Sequence, residues 1–213
     1  MLRGLLSRIT RRFDSGSYWR QRYADGGNSG AGSYGRLAEY KAKFINDFVA
    51  ERAIGSIVEF GFGDGAQAEL FAFAHYVGVD VVPLLVERAS KQFKDREGWR
   101  FVTADDYAQS PVKAELAMSL DVLYHLVEDG VFERYMQTLF SASDHYVLIY
   151  SSDSTEIPGS GHVRHRRYSD WIAGNRPDFV RSSHWPNPYP ASPASDWSQT
   201  SFADFALYEK RRD

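Results

Sequence analysis

The chain has 213 residues, of which 43% are hydrophobic and 25% are charged. These values are typical of a soluble globular protein large enough for one well-packed domain. The formal net charge of −3 argues against a broad nucleic-acid-binding surface, so a nucleic-acid partner is disfavoured. A local basic patch at 164–167 leaves RNA binding as an alternative. Because cysteine is absent, disulfides, thiolate metal sites and a cysteine nucleophile are excluded. No apolar run reaches the ~18–20 residues of a membrane span, and we expect a cytoplasmic protein without a metal site.

The first 13 residues carry four arginines and no acidic side chain. Their apolar residues, Leu2, Leu5, Leu6, Ile9 and Phe13, fall at helical spacing and form an amphipathic stripe. The simpler interpretation is a short helix packed on the domain or frayed in solvent. The alternative is a transit peptide or a membrane-surface helix, which would give weak peripheral association through residues 1–13.

The predicted elements alternate between strands and helices. After a glycine- and serine-rich segment at 14–35, an amphipathic helix is predicted from about 33 to 53. The predicted strands that follow are 56–60, 76–80, 100–103, 115–120 and 145–150, with helices at 66–74, 83–93 and 128–140. A short helix at 169–173 and strands at 178–183 and 201–210 are predicted for the rest of the chain. This rhythm favours an α/β domain with a mainly parallel sheet and no second domain.

Two glycine clusters are candidates for the nucleotide-binding turn. Gly30-x-Gly32-x-x-Gly35 matches a dinucleotide fingerprint in spacing, but no strand is predicted before it. The cluster at 61–65 follows the strand at 56–60 and precedes the predicted helix at 66–74, as a nucleotide turn requires. Asp80 ends the next strand, where an acidic side chain can accept ribose hydroxyls. The second cluster is therefore predicted to hold the cofactor, although its glycines alone fit both NAD and S-adenosylmethionine.

Four stretches in order resemble class I S-adenosylmethionine-dependent methyltransferases of the small-molecule type: VEFGFGDGAQ (58–67), GVD (78–80), TADD (103–106) and SLDVLYHLVED (119–129). The resemblance implies a single Rossmann-like methyltransferase domain, mainly parallel, with an antiparallel C-terminal strand and an N-terminal helical lid. It implies S-adenosylmethionine as the cofactor. It divides the chain into N-terminal helices and a lid segment at 1–55 and an S-adenosylmethionine-binding catalytic domain at 56–213.

The resemblance also implies which residues bind the cofactor. They are Tyr18 and Arg22 near its carboxylate, Glu59, Gly61, Phe62, Gly63 and Gly65 around its methionine side, Asp80 and Val81 at the ribose and adenine, Asp105 or Asp106 at the adenine amino group, and Leu120 and Asp121 below the sulfonium. The segment 15–35, with its glycines and aromatic side chains, is predicted to be a lid that orders on binding. A flexible linker is the alternative.

The acceptor side is predicted from the segments that follow the strands. Histidine is suited to proton transfer near neutral pH, so the candidate bases are His125, His162 and His165. Catalysis by positioning alone is the alternative. Candidate substrate-binding residues are Tyr124, Arg164, Arg166 and Trp185. Aromatic side chains mixed with polar ones favour a small-molecule acceptor, in particular a sugar or glycosylated compound methylated on oxygen or nitrogen.

Two other functions are alternatives to this prediction. A non-catalytic, methyltransferase-like binding module is disfavoured by the intact glycines and Asp80. An NAD-dependent oxidoreductase is disfavoured by the stretch at 119–126 and by the lack of a Tyr-x-x-x-Lys pair after it.

Overall fold

A seven-stranded sheet organises the computed structural model, which describes residues 13–192, 196 and 198–211. The strands are β1 (Ser56–Phe60), β2 (His75–Asp80), β3 (Trp99–Thr103), β4 (Ala114–Leu120), β5 (Ser143–Ser151), β6 (Phe179–Trp185) and β7 (Asp204–Lys210). The helices are α1 (Ser15–Ala24), α2 (Gly35–Glu51), α3 (Pro83–Gln92), α4 (Ala104–Gln109), α5 (Asp129–Ser141) and α6 (Tyr168–Asn175). The predicted amphipathic stripe at the N-terminus falls almost wholly on residues 1–12, outside the described residues.

The strand order is β3-β2-β1-β4-β5-β7-β6. Strands β1 to β5 pair in parallel, whereas β7 lies antiparallel between β5 and β6. The predicted α/β fold, with a mainly parallel sheet and an antiparallel C-terminal strand, is confirmed. The chain leaves β1 toward β2 on one side and returns to β4 on the other. This reversal opens a crevice at the carboxyl ends of β1 and β4, where ligands bind in such sheets.

Both faces of the sheet are buried. Ile57 and Leu116 pack into a core with α2 and α3, whereas Val58 and Ala117 pack into a second core with α5 and α6. Neighbouring residues on a strand point to opposite faces, so a strand covered on both sides is apolar throughout. Polar residues can therefore gather only at the strand ends. Within the described part of the chain, no helix is both long and apolar enough to cross a membrane.

The predicted helix at 66–74 is wrong. Only a single 3₁₀ turn forms there, at Ala68–Leu70. Phe71 and Phe73 are both buried and their rings stack with centroids 4.6 Å apart, which requires an extended chain. Their carbonyls accept hydrogen bonds from Arg96 and from the Trp99 indole instead of from a helical turn. Tertiary partners therefore outweigh the local helical preference.

The local sequence pattern predicted neither α1 nor α4, although the resemblance implied a helical lid in the region of α1. In α1 only Ser15 and Tyr23 are buried. Because so little of the helix faces the core, its sequence has no apolar stripe from which a helix could be predicted. Its start is fixed locally, because the Asp14 carboxylate accepts the Ser17 N–H. The six-residue α4 begins in the same way, with the Thr103 hydroxyl accepting the Asp106 N–H at 3.0 Å.

Candidate functional site

A cavity of about 310 Å³ lies at the carboxyl ends of β1, β2 and β4. Nine of the predicted site residues line it: Glu59, Gly61, Phe62, Gly63, Asp80, Val81, Leu120, Asp121 and His125. They come from three parts of the sequence that meet only at this edge of the sheet. Helix α1 closes the opposite side of the cavity through Ser15, Gly16 and Trp19.

The turn after β1 is tied to the end of β2. Gly61, Gly63 and Gly65 have φ angles of +84°, +65° and +84°, which side-chain-bearing residues rarely adopt. Asp80 accepts the N–H of Gly63 at 3.0 Å and the N–H of Val82 at 3.0 Å. Burial raises the pKa of Asp80 to about 6, although these backbone hydrogen bonds favour its ionised form. The buried carboxylate therefore holds the glycine turn in a fixed position beside the cavity.

Glu59 is a second buried carboxyl group in the cavity wall. It stands on β1, two residues before Gly61, and accepts a hydrogen bond from the Tyr76 hydroxyl. Burial raises the pKa of Glu59 to about 7, against the lowering effects of Tyr76 and the nearby Lys41 ammonium. Near neutral pH this group is consequently close to its titration midpoint, so a cationic ligand would favour its ionised form.

Asp121, at the end of β4, is held by two side chains. Its Oδ2 accepts a hydrogen bond from Lys41 Nζ at 2.5 Å, and its Oδ1 accepts one from the Tyr124 hydroxyl at 2.8 Å. The residue has a φ of +60°, an uncommon and strained conformation for an aspartate. These two hydrogen bonds hold Asp121 in position. Tyr124, a predicted substrate-binding residue, lies behind it and not in the cavity wall.

Lys41 was not among the predicted site residues, although it lines the cavity and is 1% exposed. One signal in the sequence could have found it. Lys41 lies four residues after Leu37 and four before Ile45, on the apolar face of α2. A lysine at a core position of an amphipathic helix needs a buried partner, and here that partner is Asp121, 80 residues away.

The segment 14–34, called the strap below, crosses the cavity and is attached at both ends. At its start, the Ser15 N–H and hydroxyl donate to the two Glu128 oxygens at 2.8 and 2.7 Å. At its other end, the Asp64 carboxylate accepts the Ser29 N–H at 2.8 Å and the Tyr34 hydroxyl at 2.5 Å. Burial opposes ionisation of Asp64, but these hydrogen bonds lower its pKa overall. The segment predicted to be a lid therefore forms a structured strap, and its role as a lid stays a prediction.

The two glycine clusters touch each other through this strap. A Cβ on Gly63 would lie 2.3 Å from the Ser29 hydroxyl, and one on Gly32 would lie 2.8 Å from Asp121 Oδ2. Real Cβ atoms essentially never approach so closely. The Ser29 hydroxyl also accepts the Asp64 N–H at 2.9 Å. Glycine in the first cluster is thus required for contact with the site, although that cluster forms no nucleotide turn.

His125 is the candidate base that lines the cavity. Its Nδ1 lies 3.0 Å from the carbonyl oxygen of His162, and because a carbonyl only accepts, Nδ1 carries the proton and Nε2 is an acceptor. The imidazole rings of His125 and His162 stack, and Trp19 meets His125 edge-on at 4.8 Å. Burial lowers the pKa of His125 to about 4, so the ring is neutral at physiological pH.

The other two candidate bases do not line the cavity. The His162 ring stacks on Tyr18, with ring centroids 4.8 Å apart. His165 is buried against Ser152, with its Nδ1 2.6 Å from the serine hydroxyl. Burial lowers the pKa of both histidines.

Several further predicted residues lie away from the cavity wall. Tyr18 packs on His162, and Arg22 donates to the Asn28 carbonyl within the strap. Gly65 shapes the turn without reaching the cavity, and Ala104 lines the cavity in place of Asp105 and Asp106, which are exposed on α4. The roles predicted for these residues stay predictions.

The predicted acceptor-binding arginines are engaged elsewhere. Arg164 and Arg166 both form ion pairs with Asp129, at 2.9 and 2.5 Å, and donate to the Val127 carbonyl. Trp185 packs against Phe44 of α2, with ring centroids 4.9 Å apart. The structure does not bring these three side chains to the cavity. No cluster of His, Cys, Asp or Glu side chains suited to a metal ion occurs among the described residues.

Several solved structures that are similar to this chain are methyltransferases. Magnesium protoporphyrin IX methyltransferase from Synechocystis PCC 6803, with bound SAH, has a TM-score of 0.64 at 15% identity, covering 93% of this chain and 100% of that chain. N-methyltransferase NodS from Bradyrhizobium japonicum WM9, in complex with S-adenosyl-L-homocysteine, has a TM-score of 0.61 at 16% identity, covering 83% and 88%. The methyltransferase domain of bacterial CtHen1 has a TM-score of 0.56 at 12% identity, covering 82% and 100%.

No protein-family model and no curated protein matches the chain. At these identities the likeness is one of fold. The chain has the Rossmann-like fold of class I S-adenosylmethionine-dependent methyltransferases, as the four motifs predicted.

Proposed function

We propose that the protein is an S-adenosylmethionine-dependent methyltransferase that acts on a small molecule. The observation that carries this proposal is the charge of the cavity. Five carboxyl groups line the cavity, but only two cationic side chains do. The carboxyl groups belong to Asp14, Glu59, Asp80, Asp121 and Glu128, and the cationic side chains are Arg20 and Lys41. S-adenosylmethionine brings a sulfonium and an ammonium, so an acidic cavity suits it.

A dinucleotide fits the same cavity poorly. NAD carries a pyrophosphate, which Rossmann folds bind at the N-terminus of the helix after the glycine turn. In this protein the turn at 61–65 leads into a three-residue 3₁₀ turn, with no α-helix to receive a phosphate. Buried Glu59 and Asp80 would repel the phosphates. These features favour the methyltransferase over the oxidoreductase alternative.

The residues around the cavity supply positioning, which is the main requirement for methyl transfer. The cofactor provides the activated methyl group. The strap covers the cavity and excludes water, and cofactor and acceptor would be aligned beneath it. His125 presents an unprotonated Nε2 as a hydrogen-bond acceptor, whereas each Asp121 oxygen already accepts one hydrogen bond within the protein. A pKa of about 4 makes His125 a weak base, so we infer transfer mainly by positioning. An intact site of this kind favours an enzyme over a non-catalytic binding module.

The acceptor is proposed to be a small molecule because the cavity is enclosed by the strap and acidic. The similar structures include a magnesium protoporphyrin IX methyltransferase and an N-methyltransferase. Arg164 and Arg166 pair with Asp129, so their positions give no support to their predicted role in acceptor binding. The sugar-like acceptor stays a prediction without further support.

Isothermal titration calorimetry tests the proposal. We expect S-adenosylhomocysteine to bind with micromolar-range affinity and NADH not to bind. S-adenosylmethionine should also release protons near pH 7, because its positive charge favours ionised Glu59, whose pKa is about 7. Titrations in two buffers of different ionisation enthalpy measure that release, and Glu59→Gln should abolish it. Binding of NADH in preference to S-adenosylhomocysteine would overturn the proposal.

A further inference from the structure

Two buried polar groups in the cavity wall have unused hydrogen-bonding capacity. The first is the Lys41 ammonium, which has three N–H donors. Among the described residues it makes one hydrogen bond, to Asp121, and lies 5.3 Å from the centre of the Tyr150 ring. Because the side chain is buried yet lines the cavity, a ligand oxygen can receive one of the remaining donors.

The second group is Gln67, which follows the glycine turn and is 5% exposed. Its Nε2 donates to the Ala38 carbonyl of α2 at 3.0 Å, which identifies the other amide atom as the oxygen. That Oε1 is buried without a hydrogen-bond partner among the described residues, and Gln67 lines the cavity. A buried unsatisfied acceptor is costly and calls for a donor from a ligand.

The two groups lie against the same stretch of one helix. Gln67 contacts α2 at Ala38, and Lys41 projects from α2 three residues further along. One group is a cationic donor without enough acceptors, and the other is an acceptor without a donor. An α-amino acid presents the complementary pair, a carboxylate and an ammonium, on a single carbon. Glu59, in the same cavity wall, adds negative charge that favours the ammonium.

We propose that Lys41 and Gln67 form a binding site for the amino-acid end of the cofactor. The Lys41 ammonium donates to the carboxylate, and Gln67 Oε1 accepts an N–H of the ammonium. This inference rests on the proposed function and replaces Arg22, whose guanidinium donates to the Asn28 carbonyl, as the group that binds the carboxylate. It also explains why Lys41 occupies a core position of α2.

Calorimetry with three ligands separates the two groups. S-adenosylhomocysteine has both the carboxylate and the ammonium, its decarboxylated analogue keeps the ammonium, and 5′-methylthioadenosine has neither. We expect Lys41→Met to weaken S-adenosylhomocysteine ~10–100-fold, the range for a charge-assisted hydrogen bond, and to spare the other two ligands. Gln67→Met should weaken the first two ligands ~3–10-fold and spare methylthioadenosine.

Two controls keep the test decisive. Lys43→Met makes the same change on the same helix at a side chain that is 78% exposed, and should bind all three ligands like the wild type. Because Lys41→Met leaves Asp121 without its cation, the double variant Lys41→Met/Asp121→Asn should show the same ligand pattern in a more stable protein. A melting curve without ligand checks that each variant folds.

The opposite results are equally clear. If Lys41→Met weakens all three ligands equally, or none, then Lys41 does not bind the carboxylate and the site is wrong. That result would leave wild-type binding of S-adenosylhomocysteine, and hence the proposed function, intact. If a folded wild type binds none of the three ligands, the proposed function fails, and the site for the cofactor's amino-acid end fails with it.

Discussion

The two glycine clusters of this protein have similar composition and different structural roles. The cluster at 61–65 follows a buried strand, so its glycines form the sharp turn that opens the cavity. The cluster at 27–35 lies between two helices, and its glycines allow the strap to approach that turn and Asp121. Glycine spacing alone does not distinguish these roles, because what decides them is the element that precedes each cluster.

The sharpest way to separate the clusters is to add one methyl group to each. Gly63 and Gly30 both have positive φ angles, but a Cβ on Gly30 meets no atom within 4 Å, whereas one on Gly63 collides with Ser29. We expect Gly63→Ala to abolish measurable S-adenosylhomocysteine binding. Gly30→Ala should cost only ~1 kcal/mol of stability through backbone strain. Equal affinities in the two variants, measured by calorimetry, would contradict the distinct roles assigned to the clusters.

The strap side and the floor of the cavity should contribute to folding stability with opposite dependences on pH. On the strap side, the pKa of His125 is lowered to about 4 from an unfolded value near 6.5. Its contribution to stability is therefore present above pH 6.5 and is lost as the pH falls toward 4, by about 3 kcal/mol at most. The floor of the cavity is formed at the ends of β1 and β2, where Glu59 and Asp80 have raised pKa values. Their protonated forms stabilise the fold at low pH, and that contribution is lost as the pH rises through about 6 and 7.

Urea unfolding of the wild type and of His125→Gln across pH 4–8 isolates the strap-side contribution. The stability difference between the two proteins should shrink as the pH falls. Glu59→Gln, compared in the same way, should instead gain relative to the wild type as the pH rises. A difference that stays constant with pH for His125→Gln would show that this ring is not held neutral by the fold.

Asp80 tests the floor of the cavity directly. We expect Asp80→Ala to weaken S-adenosylhomocysteine by ~1.5–3 kcal/mol through lost charge-assisted hydrogen bonds to the ribose. Asp95→Ala, at a side chain that is 89% exposed, is the matched control and should bind like the wild type. Unchanged affinity in Asp80→Ala would remove the ribose role and leave Asp80 only its structural role toward Gly63.

Asp64 tests the attachment of the strap, with the smallest expected effect. Asp64→Asn keeps the size of the side chain but removes the charge that receives the Ser29 and Tyr34 donors, at a cost of ~1 kcal/mol. Amide hydrogens in residues 15–34 should then exchange about 5-fold faster, and S-adenosylhomocysteine should slow that exchange. Asp47→Asn, in an exposed helical ion pair, should leave the strap unchanged. Equal protection in all states would make the strap a static part of the fold.

Local sequence pattern was sufficient for much of the floor of the cavity. The strand at 56–60 and the acidic end of the strand at 76–80 could be predicted because β-branched runs and glycine turns act over a few residues. The same reasoning failed at 66–74, where the burial of Phe71 and Phe73 overrides the helical pattern. Local pattern likewise singled out the segment at 15–35 without showing the side chains that attach it.

By itself, the sequence determined the order of the strands and helices, the glycine turn and the acidic residues beside it, because these follow from neighbours in the chain. Only the tertiary structure decided the partners that complete the site. Lys41 reaches Asp121 across 80 residues, and Ser29 meets Asp64 across 35. Arg164 and Arg166 form ion pairs with Asp129 outside the cavity, and Asp129 lies next to them only in the folded chain. Contacts of this kind depend on which elements meet at one edge of the sheet, and the pattern of neighbouring residues in the sequence does not predict that meeting.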